Sequence, residues 1–404
     1  MATAVFTPPP HVDPARVRHC VLFDRITVHE NPYETIIPEI HRGPAAFYAD
    51  NIMFQQPGWV VRRAADLKRI YADAEHFSVR AGSGFAQLLG EDWDVLPAEV
   101  DQPAHTAFRA AVTPMFSPSR MMALDEKVRE RARTYVDRIR DRGACEFIRD
   151  FAIHFPISIF LDMVGLPQDR LEQFYDWEQK LIHGTSVEMR TAALREIRTL
   201  LLDTIEQRRR EPGEDMISQS LALEIDGRPW TDDELFGFTF NLYLGGLDTV
   251  TSNLGLHFYH LATHPEHQQA MRAASAQENV VAVEELLRAY AAVSTTRICI
   301  KPVEIAGEQM MPGDFVIMNT ALAARDPEAY DNPQEIRFDR RPTHVTLGHS
   351  FHRCLGQHLA RRELQAAIDT FVKTIPEFRI APGFDVPFFL SNVIHVEALP
   401  LVWR

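Results

Sequence analysis

Apolar residues recur at helical spacing over most of the chain. From Pro118 to Arg142, the residues Met122, Val128, Ala132, Tyr135 and Ile139 fall along one face and predict a helix. A second is predicted from about Ser186 to Arg210, where Arg208-Arg209-Arg210 suit a helix C-terminus and a solvated surface. The longest should open at the capping box Thr231-Asp232-Asp233-Glu234 and run to about His264, before Pro265. At ~1.5 Å per residue it would span roughly 50 Å, enough to cross a domain, and its apolar character predicts burial on most sides. Short β-branched or apolar runs follow at Arg297–Ile300, Val303–Ile305 and Phe315–Met318, punctuated by Gly307 and Pro312-Gly313. The pattern predicts a mainly α fold with a small β region. With no repeat, low-complexity tract or long linker, residues 1–404 should form a single domain.

Composition narrows the classes. The 404 residues are 46% hydrophobic and 24% charged, an ordinary globular balance, and a chain of this length buries a core without disulfides or metals. Forty-two basic against fifty-six acidic side chains give a charge of −14, which argues against a nucleic-acid partner but leaves room for local basic patches. Cys20, Cys145, Cys299 and Cys354 are scattered, with no CxxC pair and no zinc spacing, as suits a reducing compartment. The opening residues lack a signal-peptide pattern, and the apolar stretch Leu235–Leu247 falls short of the ~18 residues needed to cross a bilayer. A cytoplasmic protein without a membrane anchor is expected.

The densest chemistry lies in Leu347-Gly348-His349-Ser350-Phe351-His352-Arg353-Cys354-Leu355-Gly356, which delivers Cys354 to the start of an amphipathic helix. Helix N-terminal amides favour a thiolate over a thiol. A thiolate is what iron ligation needs, and cysteine-ligated haem favours O–O cleavage. A lone cysteine at a helix start is more often structural, so the surrounding decapeptide decides. It resembles the cysteine loop of the cytochrome P-450 family, Phe-Gly-x-Gly-x-His-x-Cys-x-Gly. Gly348, His352, Cys354 and Gly356 match, Leu347 replaces the Phe, and Ser350 replaces the second Gly. Leu347 should alter packing against the sulfur. Ser350 needs a backbone that its Cβ tolerates, or an adjusted loop.

A second constellation, Gly245-Gly246-Leu247-Asp248-Thr249, falls within the predicted long helix. Two glycines there cost about 1 kcal/mol each relative to alanine, yet let a flat cofactor approach the backbone. Gly with Thr can open the helical ladder, and a buried acid beside an alcohol can relay protons. Helix packing around a capped polar pair is the plainer alternative. By the resemblance, Thr249 steadies dioxygen and Asp248 carries protons. Glu285-Leu286-Leu287-Arg288 puts an acid and a base on one helical face. Alone such a pair means little, but the resemblance joins it to Arg340 as a structural triad. Haem propionates need cationic or hydrogen-bonding partners. His105, Arg109, Arg297 and His352 are the candidates, with Gly245, Gly246, Leu347 and Gly348 as further cofactor contacts.

From about Thr231 onward the chain is most similar to the soluble bacterial class that hydroxylates camphor. Its candidate pocket differs. Trp93 stands in the stretch where that class uses a tyrosine to hold a ketone, and Asn241 replaces an apolar residue; Leu244, Val293 and Thr295 complete the set. The resemblance implies haem b, dioxygen, and a [2Fe–2S] ferredoxin with its reductase, docking near the cysteine side. Lys68 and Arg109 are candidate docking cations there, and Glu75 sits where a basic residue would help. The implied substrate is a small apolar terpenoid or norisoprenoid ketone, ionone-like rather than camphor, taken by a monomer. Two rival readings stand beside this one. A haem-binding gas sensor or electron carrier would not need Asp248 and Thr249, and a hydrolase with a nucleophilic cysteine would carry no haem.

Overall fold

A computed structural model describes residues 6–53, 56–80 and 83–404 and shows a mainly α chain with a smaller β region. In the main sheet, β1 (Ala46–Met53) pairs antiparallel with β2 (Gln56–Val61). The strands predicted late in the chain appear as β3 (Ser294–Cys299) and β4 (Phe315–Asn319), paired antiparallel, with β4 parallel to β2. The first two strands carried no clear sequence signal. Most of their residues are buried, so the two-residue alternation is lost, and Pro57-Gly58 reads as a turn. Gly58 is needed for that packing: a Cβ there would lie 2.4 Å from Ile52 Cδ1 and 2.6 Å from the Phe315 carbonyl oxygen.

The helices that frame the site are α1 (Ala64–Ala72), α2 (Ala104–Val112), α3 (Asp125–Asp137), α4 (His154–Val164), α5 (Leu171–Ile182), α6 (Val187–Arg210), α7 (Asp232–Leu247), α8 (Thr249–Thr263), α9 (Ala276–Ala289) and α10 (Gln357–Thr374). The helix expected over Pro118–Arg142 divides into Pro118–Ala123 and α3. Division puts Asp125 at a helix start, where a carboxylate suits the dipole. There it accepts from Arg129 Nε at 2.8 Å and from Arg362 Nη1 of α10 at 2.9 Å. The basic end of α6 is not simply solvated either. Arg208 Nε donates to Asp215 at 2.7 Å, and Arg209 pairs with Asp232 at the start of α7.

The capping box forms as predicted. Thr231 N donates to Glu234 Oε2 at 2.7 Å, and Glu234 N donates to Thr231 Oγ1 at 3.2 Å. The long helix it opens does not run unbroken to His264, because Asp248 interrupts it between α7 and α8. Phe147, Phe151, Phe258, Phe371 and Phe378 stack beside that axis in the larger hydrophobic core, each burial contributing roughly 1.5–3 kcal/mol. A second core, around Trp59, Tyr71 and Val316, lies against the sheet. Among the described residues no helix is long and apolar enough to cross a membrane, and all four cysteines are free.

Candidate active site

The cysteine loop is shaped by its own backbone. Leu347 O accepts from Cys354 N at 2.8 Å, and Gly348 N donates to Val345 O at 2.8 Å. Gly348 has φ +74°. Ser350, in place of a second glycine, also adopts a left-handed backbone, φ +56°, and opens the tight turn Ser350–His352. For a side chain with a Cβ this costs roughly 1–2 kcal/mol, so the loop keeps the conformation that a glycine would have given freely. Cys354 retains accessible surface although protein surrounds it, which places it in a recess. Burial raises its thiol, while the Gly356 and Gln357 N–H groups and the Arg109 and Arg361 charges pull the other way. A bound cation would tip that balance toward the thiolate.

Behind the loop, the structure brings Glu285, Arg288 and Arg340 into one network. Glu285 accepts from Arg288 Nη2 at 2.7 Å, from Arg288 Nε at 2.8 Å and from Arg340 Nε at 3.0 Å. Arg288 also donates to the carbonyls of Ala324 and Pro333, at 2.8 and 2.9 Å. Thr346 Oγ1 donates to Leu287 O at 3.0 Å, tying the approach to the cysteine loop onto α9. Sequence reasoning missed the adjoining link. Glu284 accepts from Arg361 of α10 and from His344, and these partners outweigh burial to hold its carboxyl down at about 2.

The proposed propionate partners also converge. His105, on α2, is almost fully buried, and its ring lies 4.2 Å from that of His352. Burial, then Arg109 and Arg297, push His105 down to about 4; burial, Arg297, His105 and Arg109 push His352 down to about 3. Four groups that could be cationic therefore crowd one place, and among the described residues His105 Nε2 has no hydrogen-bond partner. Arg109 also donates to Arg353 O of the cysteine loop. Arg297 lies over the ring of Tyr71, a neighbour the sequence did not point to. An anionic group fits this cluster, and a haem edge supplies carboxylates.

On the α7–α8 side, the break at Asp248 is closed by side chains. Thr249 Oγ1 donates to Gly245 O at 3.3 Å, Thr251 Oγ1 to Leu247 O at 3.2 Å, and Asn253 Nδ2 to Thr249 O at 2.7 Å. The two glycines differ. A Cβ at Gly245 would meet nothing within 4 Å, whereas one at Gly246 would strike the Phe160 ring at 2.2 Å. Only Gly245 offers the open cradle that a flat cofactor needs, and Gly246 serves close packing against α4 instead. Asp248 is buried and accepts from His183 Nε2 at 3.2 Å, Ser252 Oγ at 3.1 Å and Gln179 Nε2 at 3.4 Å. Burial would raise its carboxyl, but His183, with help from His395 and Ser252, holds it below the usual range. Glu178, buried nearby, is driven up by burial and by Asp248. No motif announces His183, which meets Asp248 only through the fold.

Trp93, the expected hydrogen-bond donor of the pocket, needs correcting. Trp93 Nε1 donates to Glu91 Oε2 at 2.8 Å, and its ring packs edge-on to Phe236 and Phe240. Asn241 Nδ2 donates to Leu96 O at 2.9 Å. The single indole N–H of Trp93 is therefore not free to hold a ketone, and one of the two Asn241 Nδ2 hydrogens is spent on Leu96 O. Thr295 Oγ1 lies 3.3 Å from Tyr71 OH, Val293 O accepts from Thr320 Oγ1 at 2.6 Å, and Leu244 packs half-buried on the larger core. On the cysteine side, Lys68 is close enough to help lower His349, and Glu75 is paired with Lys301 at 3.1 Å.

Comparison with known proteins shows the family. The family model described as Cytochrome P450 matches residues 171–278 and 280–387. A protein of Sinorhizobium fredii named "Probable cytochrome P450 127A1" is 35% identical over 402 residues, covering 98% of this chain and 96% of that one. "Cytochrome P450 FAS1" of Rhodococcoides fascians is 30% identical, over 87% of this chain and 91% of its own. The crystal structure of cytochrome P450 CYP101C1 superposes with a TM-score of 0.88 at 31% identity, covering 98% of this chain and 100% of that chain. That of CYP101J2 superposes at 0.86 with 27% identity, over 99% and 100%. The chain therefore belongs to the cytochrome P450 family of monooxygenases, oxidoreductases that use haem b, dioxygen and redox partners.

Proposed function

We propose that residues 1–404 form one haem-thiolate monooxygenase unit that hydroxylates a C–H bond of a small apolar terpenoid or norisoprenoid, ionone-like rather than camphor. Bound haem would supply dioxygen activation, with one oxygen atom entering the C–H bond and the other leaving as water. Cys354 would hold the iron, at the start of α10 and braced by Glu285, Arg288 and Arg340. His105, Arg109, Arg297 and His352 would take the propionates, Leu347 and Gly348 would shape the sulfur side, and Gly245 would leave room for the ring. Thr249 would hold a proton-donating hydroxyl beside the reacting centre, and Asp248 would refill it from the buried side where His183 lies. Trp93, Leu244, Val293 and Thr295 would line the pocket walls, and a ketone on the substrate would receive no N–H from Trp93.

The observation that carries this reading is the crowding of Arg109, Arg297, His105 and His352 in one place, with Arg109 bonded to the cysteine loop and the His105 Nε2 without a hydrogen-bond partner among the described residues. Electrons would come from a [2Fe–2S] ferredoxin and its reductase at the cysteine side, where Lys68, Arg109 and the exposed Arg353 can meet an acidic partner. A cytoplasmic monomer suits such an exchange. Spectral titration of the haem-loaded protein with ionones and monoterpenoids tests the reading. A substrate-induced spin shift is expected; its absence across both classes would favour the gas sensor or electron carrier.

A further inference from the structure

Asn241 sits one turn before Gly245 on α7, and residues four apart share a helical face. That face is the open one, since a Cβ at Gly245 would meet nothing within 4 Å among the described residues. The Asn241 amide is also oriented. Its Nδ2 donates to Leu96 O at 2.9 Å, and a carbonyl oxygen has no proton to give back. The contact therefore fixes which end of the amide is nitrogen and leaves Oδ1 at the other end. Asn241 is half-buried, and among the described residues no donor reaches that oxygen. It is an accessible acceptor on the open face of the helix.

An acceptor selects a donor. A substrate hydroxyl would place its proton on Asn241 Oδ1. A ketone in the same position would set lone pairs against lone pairs and leave Oδ1 unpaired. Trp93 cannot compensate, because its indole N–H is spent on Glu91.

We propose that Asn241 Oδ1 is a specificity contact, and that the preferred substrates are small apolar alcohols on a terpenoid or norisoprenoid skeleton, ahead of the matching ketones. This rests on the monooxygenase reading above and replaces the ketone of the sequence expectation with a hydroxyl. One neutral hydrogen bond at a half-buried site is worth about three- to tenfold in affinity.

The test is spin-shift titration of the haem-loaded protein with two matched pairs, ionol against ionone and borneol against camphor. The alcohol of each pair that binds should do so roughly three- to tenfold more tightly. Asn241→Leu should remove that preference without abolishing the spin shift. Should this variant fail to fold, the alcohol-to-ketone ratio of the unmodified protein still decides. Clear spin shifts with ketones bound as tightly as alcohols would overturn the role of Asn241 and leave the proposed function standing. No spin shift with any of the four would overturn the proposed substrate class, and this inference with it.

Discussion

Behind Cys354, Glu285 and Arg288 have no exposed surface, and the Glu285 carboxylate takes donors from Arg288 and Arg340. Across the chain at the α7–α8 break, Asp248 is buried too, but it leans on a histidine at 3.2 Å, and Thr249 makes a long 3.3 Å contact to Gly245 O. Asn241 Oδ1, on the same helix, has no partner among the described residues. The first region is saturated with charged groups that hydrogen-bond one another. The second is built from groups that can give up, accept or exchange a proton. A saturated network fixes a ligand in place, whereas an unsaturated one can respond to substrate and move protons.

The largest expected effect comes from opening the saturated side. Glu285→Ala leaves two arginines without their anion, and breaking a buried pair costs about 3–5 kcal/mol. Denaturant unfolding should show a loss of that size, with haem retention falling alongside. A loss below about 1 kcal/mol would mean that the network is no firmer than a surface ion pair.

Changes on the break side should leave the fold alone and alter turnover. Asp248→Asn keeps the shape and removes the acid. Turnover should fall about a hundredfold, in the range of a lost proton-transfer group, while the unfolding midpoint stays nearly fixed. An unchanged rate would assign Asp248 to packing only. Thr249→Ala should retain haem and oxygen consumption but divert about tenfold more of the oxygen to peroxide, by loss of a single hydrogen bond to a reacting group. Measuring product against dioxygen consumed checks this, and full coupling would remove Thr249 from the proton route.

The smallest effect lies further along α8. Burial pushes His257 down to about 3, against about 6.5 in an unfolded chain. Between these values the unfolded chain binds a proton that the folded one refuses. Stability from this histidine is therefore complete above pH 6.5 and lost as pH falls, by about 1.4 kcal/mol per unit. Between pH 7.5 and 5.5, His257→Gln should lose about 1.4 kcal/mol less than the parent. Equal acid sensitivity in the two would show that the native pocket accepts the proton.

What could be read in advance divides along the same line. The cysteine side was legible because its chemistry is written in short local spacings: Cys354 with its glycines, Glu285 three residues from Arg288, and His105 four from Arg109. Arg340 was reached through resemblance alone. The break side was legible as a motif but not as a geometry. Glycine and threonine residues signalled a weak helix, yet nothing in their order told Gly245, which faces open space, from Gly246, which packs on Phe160. His183, Tyr71 and the Leu96 carbonyl escaped notice because each meets its partner across the fold, with no periodicity to link them. The strands Ala46–Met53 and Gln56–Val61 escaped for another reason, since extensive burial erases the alternation that marks a half-exposed strand.

The most direct test is the absorption of the reduced carbon monoxide complex in the parent and in Cys354→Ala, with circular dichroism confirming that both are folded. The parent should show the red-shifted band of a thiolate-ligated haem, and Cys354→Ala should lose it while keeping its helical signal. The same band surviving in folded Cys354→Ala would contradict the assignment of Cys354 as the iron ligand.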